Sequence, residues 1–395
     1  MRAPFAALMI LLLINIAVDM YISRQARKRC QNKLWCRVHA YTARIFSLIM
    51  IAVIILPAKS GGETELLSKM WLLFGYLSIY IPKYIAIVFD SLAMIPRLWH
   101  KQRIKALTKT GVTLACITFV AFWWGALINR FNIQVKEVTV EIPNLPASFD
   151  GLTIAQFSDL HLGTYHADPT FVSKLVDRIN ALNADVIVFT GDIVNRESTE
   201  MKPFIATLSR LHAPMGQYAI LGNHDYGDYK IWHNEAEKQA NMNLLYELFN
   251  RTSMKLLRNQ TEWLHINNDS IAFIGVENIG DPPFKTYGSL PASYPDLADN
   301  NTKILLSHNP QHWVDSISNN AATNVALTLA GHTHAMQMEF ANISPATFRY
   351  KTWGGLYADS DSLRQLYVNI GVGTVGMPAR IGATPEITLI TLRRK

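Results

Sequence analysis

The stretch VALTLAGHTHAMQM, residues 325–338, joins an apolar run to two histidines spaced one residue apart. The apolar run predicts a buried β-strand, and the histidines follow its end. If the chain stays extended there, His332 and His334 lie on one face and Thr333 on the other, because side chains alternate along a strand. A single His-x-His pair is also typical of surface or hydrogen-bonded histidines. A metal site therefore requires ligands from elsewhere in the chain.

Four further apolar runs end in Asp, Asn or His side chains. These endings are Asp159 and His161 after LTIAQFS, Asp192 after DVIVFT, Asn223 after GQYAILG, and His308 after KILLS. One such ending is typical of a polar turn, but five of them indicate a common site. Carboxylate, amide and imidazole donors are typical of sites for hard or borderline divalent cations and not of thiolate sites. Seven candidate ligands are too many for one ion and suit two ions, if a carboxylate bridges them.

The chain after about residue 135 alternates short β-rich runs with helical patterns. Amphipathic helices are predicted within residues 169–183 and 229–250, and residues 277–300 form a long loop rich in Pro, Asp and Gly. This order predicts an α/β sandwich with a mixed β core flanked by helices. All three cysteines precede residue 130, so no disulfide or thiolate ligand is expected in this part.

Residues 1–130 have a different composition. Four apolar stretches, residues 4–23, 41–57, 71–95 and 111–129, each approach the length of about 20 residues that crosses a bilayer. We therefore expect an all-α transmembrane region of about four helices; a signal peptide is the alternative for the first stretch. Asp19, Lys83 and Asp90 lie in or near these spans. They predict structural ion pairs or interfacial positions, with an ion pathway as the alternative.

The charge distribution predicts the orientation of the chain. Residues 1–130 hold 17 Lys and Arg against 4 Asp and Glu, so the remainder, with 20 against 26, has a net charge of −6. The basic loops at residues 24–37 and 97–109 are expected in the cytoplasm, which places the C-terminal domain outside it if there are four spans. The acidic balance of residues 131–395 disfavours nucleic acid as a partner.

The motif order D-x-H … G-D … G-N-H-D … H … G-H-x-H resembles the calcineurin-like metallophosphoesterase superfamily, in its membrane-anchored bacterial-type branch, over about residues 150–392. The resemblance implies a dinuclear centre, and the oxygen and imidazole ligands suit manganese, iron or zinc alike. It assigns one metal to Asp159, His161 and His334, the other to Asn223, His308 and His332, and the bridge to Asp192. It further implies that His224 protonates the leaving oxygen or steadies the phosphate, with Asp225 as its orienting partner.

The sequence departs from the family pattern behind the last histidine. The family often continues with two glycines, where this chain has Ala335 and Met336; the change should affect backbone freedom rather than the ligands. Arg196, in GDIVNRE, and Arg380, in GMPARIG, are candidate phosphate contacts, with a solvated arginine as the alternative for Arg196.

These observations predict two domains, a multi-pass transmembrane region at 1–130 and a catalytic domain at 131–395. The predicted function is hydrolysis of a phosphate ester by metal-activated hydroxide, on lipid-linked or envelope phosphodiesters. A phosphomonoesterase acting on nucleotides or phosphoproteins is the alternative, and a non-catalytic sensor or transporter is a third. The aromatic residues Phe348, Tyr350, Trp353 and Tyr357 form either a lip that touches lipid or part of the core. The oligomeric state stays open.

Overall fold

The computed structural model describes residues 5–29, 33–55 and 62–395. These residues fall into two compact units. One comprises the described residues up to Leu127 with Gly376–Ala379, and the other comprises Ile128–Val375 with Arg380–Lys395.

The N-terminal unit is helical. Its helices are α1 (Phe5–Arg29), α2 (Lys33–Ile55), α3 (Glu63–Met94) and α4 (Lys105–Leu127). Two segments, Thr64–Trp99 and Lys105–Phe131, are long and apolar enough to cross a membrane. The other two predicted spans, 4–23 and 41–57, coincide with α1 and α2, and residues 4 and 56–57 of them lie outside the described part of the chain.

Buried carboxylates of the helical unit form ion pairs. The Nζ atom of Lys83 lies 2.7 Å from a carboxylate oxygen of Asp19, and Asp90 pairs with Arg103. Lys83 and Asp90 share a helix, but each has its partner on another segment. This arrangement agrees with the prediction of structural ion pairs.

The second unit contains two six-stranded mixed sheets, as the sequence predicts. The first has the order β1-β12-β2-β3-β4-β5 and the second β10-β11-β9-β8-β7-β6. The strands are β1 (Gln134–Ile142), β2 (Thr153–Phe157), β3 (Val186–Phe189), β4 (Gln217–Ala219), β5 (Lys255–Leu256), β6 (Gln260–Ile266), β7 (Asp269–Gly275), β8 (Lys303–Leu306), β9 (Val325–Ala330), β10 (Gly355–Ala358), β11 (Gln365–Val368) and β12 (Glu386–Arg394). The helices are α5 (Thr170–Asn180), α6 (Ile205–Leu208), α7 (Glu235–Asn250) and α8 (Leu290–Ser293).

The sheets pack face to face over an apolar core. Val186 and Val188 of β3 belong to the same buried cluster as Phe273 of β7 and Ile304 of β8. Helices α5 and α7 cover the outer face of the first sheet. Strands β2, β3 and β4 run parallel in one sheet, and β7, β8 and β9 run parallel in the other. Parallel strands end at a common edge of their sheet, which brings their polar endings together. The α/β sandwich prediction is confirmed.

Helix α7 begins later than its sequence pattern indicates. The pattern starts at residue 229, but the helix starts at Glu235 because Asn234 caps it: the side chain of Asn234 accepts a hydrogen bond from the Glu237 amide at 2.9 Å. The carboxylate of Glu237 accepts in return from the His233 amide at 3.0 Å. Residues 229–234 are thereby left as a loop, which carries Tyr229 to the site described below.

Candidate metal centre

The side chains at the strand ends project from tight left-handed turns rather than from the strands. Strand β2 ends at Phe157 and β9 at Ala330. Beyond them Asp159 has φ 55°, His161 φ 49°, His332 φ 74° and His334 φ 51°. The extended geometry considered for His332 and His334 is therefore wrong, and Asp159 and His161 lie in the same kind of turn. The chain turns because the Thr333 amide donates to the Gly331 carbonyl at 2.9 Å.

This turn is packed closely against the loop that follows β2. A Cβ atom on Gly331 would lie 1.9 Å from the Ser158 hydroxyl and 2.5 Å from the Asp159 carboxylate, so only glycine fits at position 331. The His332 amide donates to both carboxylate oxygens of Asp159, at 3.1 and 3.0 Å. Close contact between the two loops, rather than strand pleating, brings their side chains together.

One group of four buried side chains places its ligand atoms within 4.8 Å of one another. Its members are Asp159, His161, Asp192 and His334. The Nε2 atoms of His161 and His334 are 3.0 Å apart, and His334 Nε2 lies 3.2 Å from Asp159 Oδ1. His161 Nε2 lies 3.7 Å from Asp192 Oδ2. Two carboxylates and two imidazoles at these distances form a donor set that suits a divalent cation.

A second group shares Asp192 with the first. Its members Asp192, His308 and His332 also have ligand atoms within 4.8 Å of one another. His308 Nε2 lies 3.3 Å from Asp192 Oδ2, and 3.2 Å from both the Asn223 side-chain oxygen and His332 Nδ1. All seven predicted ligands therefore lie in one cluster, and Asp192 stands between its two halves.

The hydrogen bonds of His308 provide a test of whether a cation fits. Its Nδ1 atom lies 2.8 Å from the Thr190 carbonyl, which can only accept, so Nδ1 carries the proton. In the neutral ring, Nε2 then presents a lone pair to oxygen atoms of Asp192 and Asn223. A cation, or a second proton, is needed between these acceptors. Burial opposes that proton, but the neighbouring Asp192 raises the pKa of His308 to about 9.

Burial outweighs the neighbouring carboxylates at two other imidazoles of the cluster, His161 and His332. Desolvation, together with the nearby His308, lowers the pKa of His332 to about 3. Desolvation and His224 hold the pKa of His161 well below its ordinary value. Burial also opposes the charge on Asp192, but His308 and His224 outweigh it and keep the pKa of that carboxyl low. At neutral pH the cluster thus combines ionised carboxylates with two neutral imidazoles, His161 and His332, and with a protonated His308, whose second proton lies where a cation would bind.

His224 lies beside this cluster, held by groups other than the one predicted. Its ring is 4.9 Å from that of His161 and stacks on Tyr229 at 3.9 Å, nearly parallel. Its Nδ1 atom lies 2.7 Å from the Asn195 carbonyl. The expected orienting role of Asp225 is therefore wrong in its detail, because a backbone carbonyl occupies that position.

Asp225 instead stabilises the loop that follows β3. Its carboxylate accepts hydrogen bonds from the amides of Asp192 at 3.0 Å, Ile193 at 2.9 Å, Val194 at 3.1 Å and Gly222 at 2.8 Å. This loop carries both Asp192 and the Asn195 carbonyl. Asp225 thus positions the predicted bridging ligand and the support of His224 through the backbone.

The two candidate phosphate-binding arginines differ in their surroundings. Arg380 is fully buried and donates to the carbonyls of Gly373 at 2.7 Å, Ala383 at 3.1 Å and Ile370 at 3.0 Å. Its guanidinium also lies 3.3 Å from His334 Nδ1. The expected phosphate contact of Arg380 does not fit, because its donors are already engaged in holding a metal-site loop.

Arg196 is also buried, with 4% of its surface exposed. Its Nε and Nη2 atoms have no hydrogen-bond partner among the described residues. Arg196 directly follows Asn195, whose carbonyl contacts His224. A phosphate contact by Arg196 remains a prediction.

Three aromatic side chains contact the candidate ligands, although no sequence motif assigns them to the site; the sequence predicts Tyr350 only as a lipid contact or a core residue. The hydroxyl of Tyr229 accepts a hydrogen bond from the side-chain Nδ2 atom of Asn223 at 2.7 Å. The hydroxyl of Tyr350 lies 2.9 Å from His332 Nε2. Phe284, from the long loop 277–300, packs its ring edge-on to His332 at 4.9 Å. Aromatic residues in turn-rich segments are common, so only their contacts with ligand side chains distinguish them.

Comparisons with known proteins agree with this geometry. The family model "Probable Calcineurin-like phosphoesterase, transmembrane domain" matches residues 1–130, and "Calcineurin-like phosphoesterase" matches residues 152–336. The metallophosphoesterase YkuE of Bacillus subtilis is 31% identical over 69% of this chain and 90% of its own length. An uncharacterized metallophosphoesterase of Campylobacter jejuni is 28% identical over 98% of both chains. The UDP-2,3-diacylglucosamine pyrophosphatase LpxG of Chlamydia trachomatis is 28% identical over 72% of this chain and 96% of its own.

Proposed function

The chain belongs to the calcineurin-like phosphoesterase family, and on that premise we propose that it hydrolyses a phosphodiester with two divalent cations. The observation that carries this proposal is the position of Asp192, whose carboxylate belongs to both groups of clustered ligands. Asp159, His161 and His334 would hold one cation, and Asn223, His308 and His332 the other. Manganese, iron and zinc all suit this donor set.

The cluster would activate a water molecule, and residues beside it would transfer a proton and contact the phosphate. Two cations bound there would lower the pKa of a water molecule and neutralise phosphate oxygens. The Asn195 carbonyl holds the proton on Nδ1 of His224, so Nε2 is the atom that exchanges a proton with the leaving oxygen. Arg196 would supply buried N–H groups, without a partner in the described part of the chain, for a phosphate oxygen.

The substrate that we propose is a lipid-linked or envelope phosphodiester. Two features support it: the transmembrane-domain family match at residues 1–130, and a relative named for hydrolysing the pyrophosphate of a diacylated sugar nucleotide. We further propose a multi-pass membrane region at 1–130 and an extracytoplasmic catalytic domain at 131–395. The basic loops of the first region support this orientation.

The test uses the purified full-length chain, manganese and bis-p-nitrophenyl phosphate. Asp192→Asn and His224→Ala should each lower turnover by about 100-fold or more. Metal analysis should find two ions in His224→Ala and fewer in Asp192→Asn. His265→Ala, at an exposed histidine on β6, is the matched control and should keep full activity. Unchanged turnover in both site variants would overturn the proposal, and p-nitrophenyl phosphate in parallel distinguishes a monoesterase.

A further inference from the structure

A group of exposed apolar side chains lies in the segment that directly follows the last metal-site histidine. Its members, here called the apolar lip, are Met336, Phe340, Ile343 and Phe348, with 44%, 85%, 68% and 95% of their surfaces exposed. Single exposed apolar residues are common on proteins, but four within thirteen residues, two of them phenylalanines, concentrate exposed apolar surface in one segment. Of the aromatic residues expected as a lipid contact, only Phe348 belongs to it. Tyr350 is buried, and Trp353 and Tyr357 are partly buried.

The backbone of the lip is well supported. Phe340 and Ile343 pair through two amide–carbonyl hydrogen bonds of 2.9 and 3.0 Å, which makes a tight hairpin. Ser344 donates to the Ala335 carbonyl at 2.6 Å, and its side chain also caps the turn Pro345–Phe348 by accepting from the Ala346 amide at 3.0 Å. The structure therefore directs the two phenylalanines into solvent, although burying each would be favourable by about 2 kcal/mol.

The lip is joined to the metal centre at both ends. At its start, Met336 is two residues from His334. At its end, Tyr350 is two residues from Phe348, and its hydroxyl lies 2.9 Å from His332 Nε2. A surface that engages the lip therefore lies beside the proposed ligands.

We propose that the apolar lip inserts into the surface of a lipid bilayer and thereby brings a lipid-borne phosphate to the metal centre. The second part of this proposal rests on the proposed function. Four side chains offer only a few hundred Å², whereas a stable protein interface takes about 800 Å² from each partner. Insertion at a bilayer surface requires no partner of matching shape. Because the chain also carries the transmembrane-domain match, a bilayer is always nearby, and a weak contact is enough.

The exposed Lys351 next to the lip favours the same partner. Its ammonium group suits the phosphate-rich surface of an anionic membrane. Arg349, by contrast, pairs with Asp281 and so ties the end of the lip to the long loop.

The experiment measures lipid contact without using activity. The native cysteines are replaced by serine, Phe348→Cys is labelled with an environment-sensitive fluorophore, and the full chain is reconstituted in nanodiscs of phosphatidylethanolamine and phosphatidylglycerol. Doxyl-labelled lipid should quench this probe at least twofold, and the added change Phe340→Asp should reduce the quenching. The control label at His265→Cys, on an exposed position of β6, should not respond. Equal quenching at both positions, or none at 348, would overturn the proposal. Blue-shifted emission without quenching would overturn it in favour of a protein contact.

The same preparations separate this proposal from the proposed function. Phe340→Asp should leave turnover of soluble bis-p-nitrophenyl phosphate within about twofold, because the lip residue contacts no ligand side chain named above. Quenching without turnover in any preparation would overturn the proposed function and leave insertion standing. Turnover without quenching would overturn insertion alone.

Discussion

Buried aspartates in the two units of the protein have opposite surroundings. In the helical unit, Asp19 receives the Lys83 ammonium at 2.7 Å and the Tyr80 hydroxyl at 2.6 Å, both of them donors. In the catalytic unit, Asp192 faces imidazole nitrogens of His161 and His308, with the His308 proton held at the Thr190 carbonyl on the far side of its ring.

The difference shows what makes a buried carboxylate a metal ligand. The flexible, cationic side chain of Lys83 compensates the negative charge of Asp19. Around Asp192, burial keeps His161 neutral, and His308 holds one extra proton next to the carboxylate; two cations would displace that proton and supply the compensating charge. The same residue type thus serves stability in one unit and function in the other.

Among the changes that test this contrast, metal removal should have the largest effect on stability. Chelation with EDTA should lower the free energy of unfolding of the catalytic unit by about 5 kcal/mol, since each site filled at about 100 times its Kd contributes about 2.7 kcal/mol. Calorimetry of the full chain, before chelation, after it and after manganese is restored, measures the change. Asp192→Asn is the control and should respond much less. An unfolding transition that chelation does not move would contradict the contrast.

The matching change in the helical unit is Lys83→Met. It leaves the Asp19 carboxylate buried without its cation, which should cost about 3 kcal/mol. The double variant Asp19→Asn/Lys83→Met should recover most of that loss, because no charge is then left unpaired. Thermal unfolding of the detergent-solubilised chain, followed by circular dichroism, measures both. A double variant as unstable as the single one would show that the pair does not act through charge.

A smaller effect is expected from Tyr350→Phe. The change removes the hydroxyl that contacts His332 Nε2, and loss of such a supporting contact weakens metal affinity about 10-fold. Manganese titration should show one site weakened and the other unchanged. Tyr357→Phe is the matched control, because its hydroxyl contacts the Gly354 carbonyl instead. Equal metal affinities of Tyr350→Phe and Tyr357→Phe would show that the Tyr350 hydroxyl does not support metal binding.

The smallest effect concerns the residues that stand where the family often has glycines. Ala335 and Met336 have φ 51° and 46°, in the left-handed region that glycine adopts without strain. Met336→Gly should therefore stabilise the protein by up to about 1 kcal/mol. Ala335→Gly should gain less, because it also deletes a buried methyl group packed near Ile370, and its activity should change modestly. Melting temperatures of the two variants measure this difference. A clearly lower melting temperature for Met336→Gly would contradict backbone strain at position 336.

The sequence predicts the strand endings well because both parts of that signal are local. An apolar β-rich run followed by Asp, Asn or His is visible within ten residues, and the buried strands confirm the runs. Helix α7 shows the limit of such signals: its cap at Asn234 is local too, but the apolar residues before it mimic a longer helix.

What the sequence by itself determined is the α/β class and the seven donors at five strand ends, because residue type and periodicity decide both. Only the tertiary structure decided how those donors meet. His161 and His334 are 173 residues apart and belong to loops of different sheets, yet their Nε2 atoms are 3.0 Å apart. The left-handed turns, the Asn195 support of His224 and the internal role of Arg380 likewise depend on contacts between distant segments. No local pattern specifies such contacts, because packing between distant parts of the chain creates them.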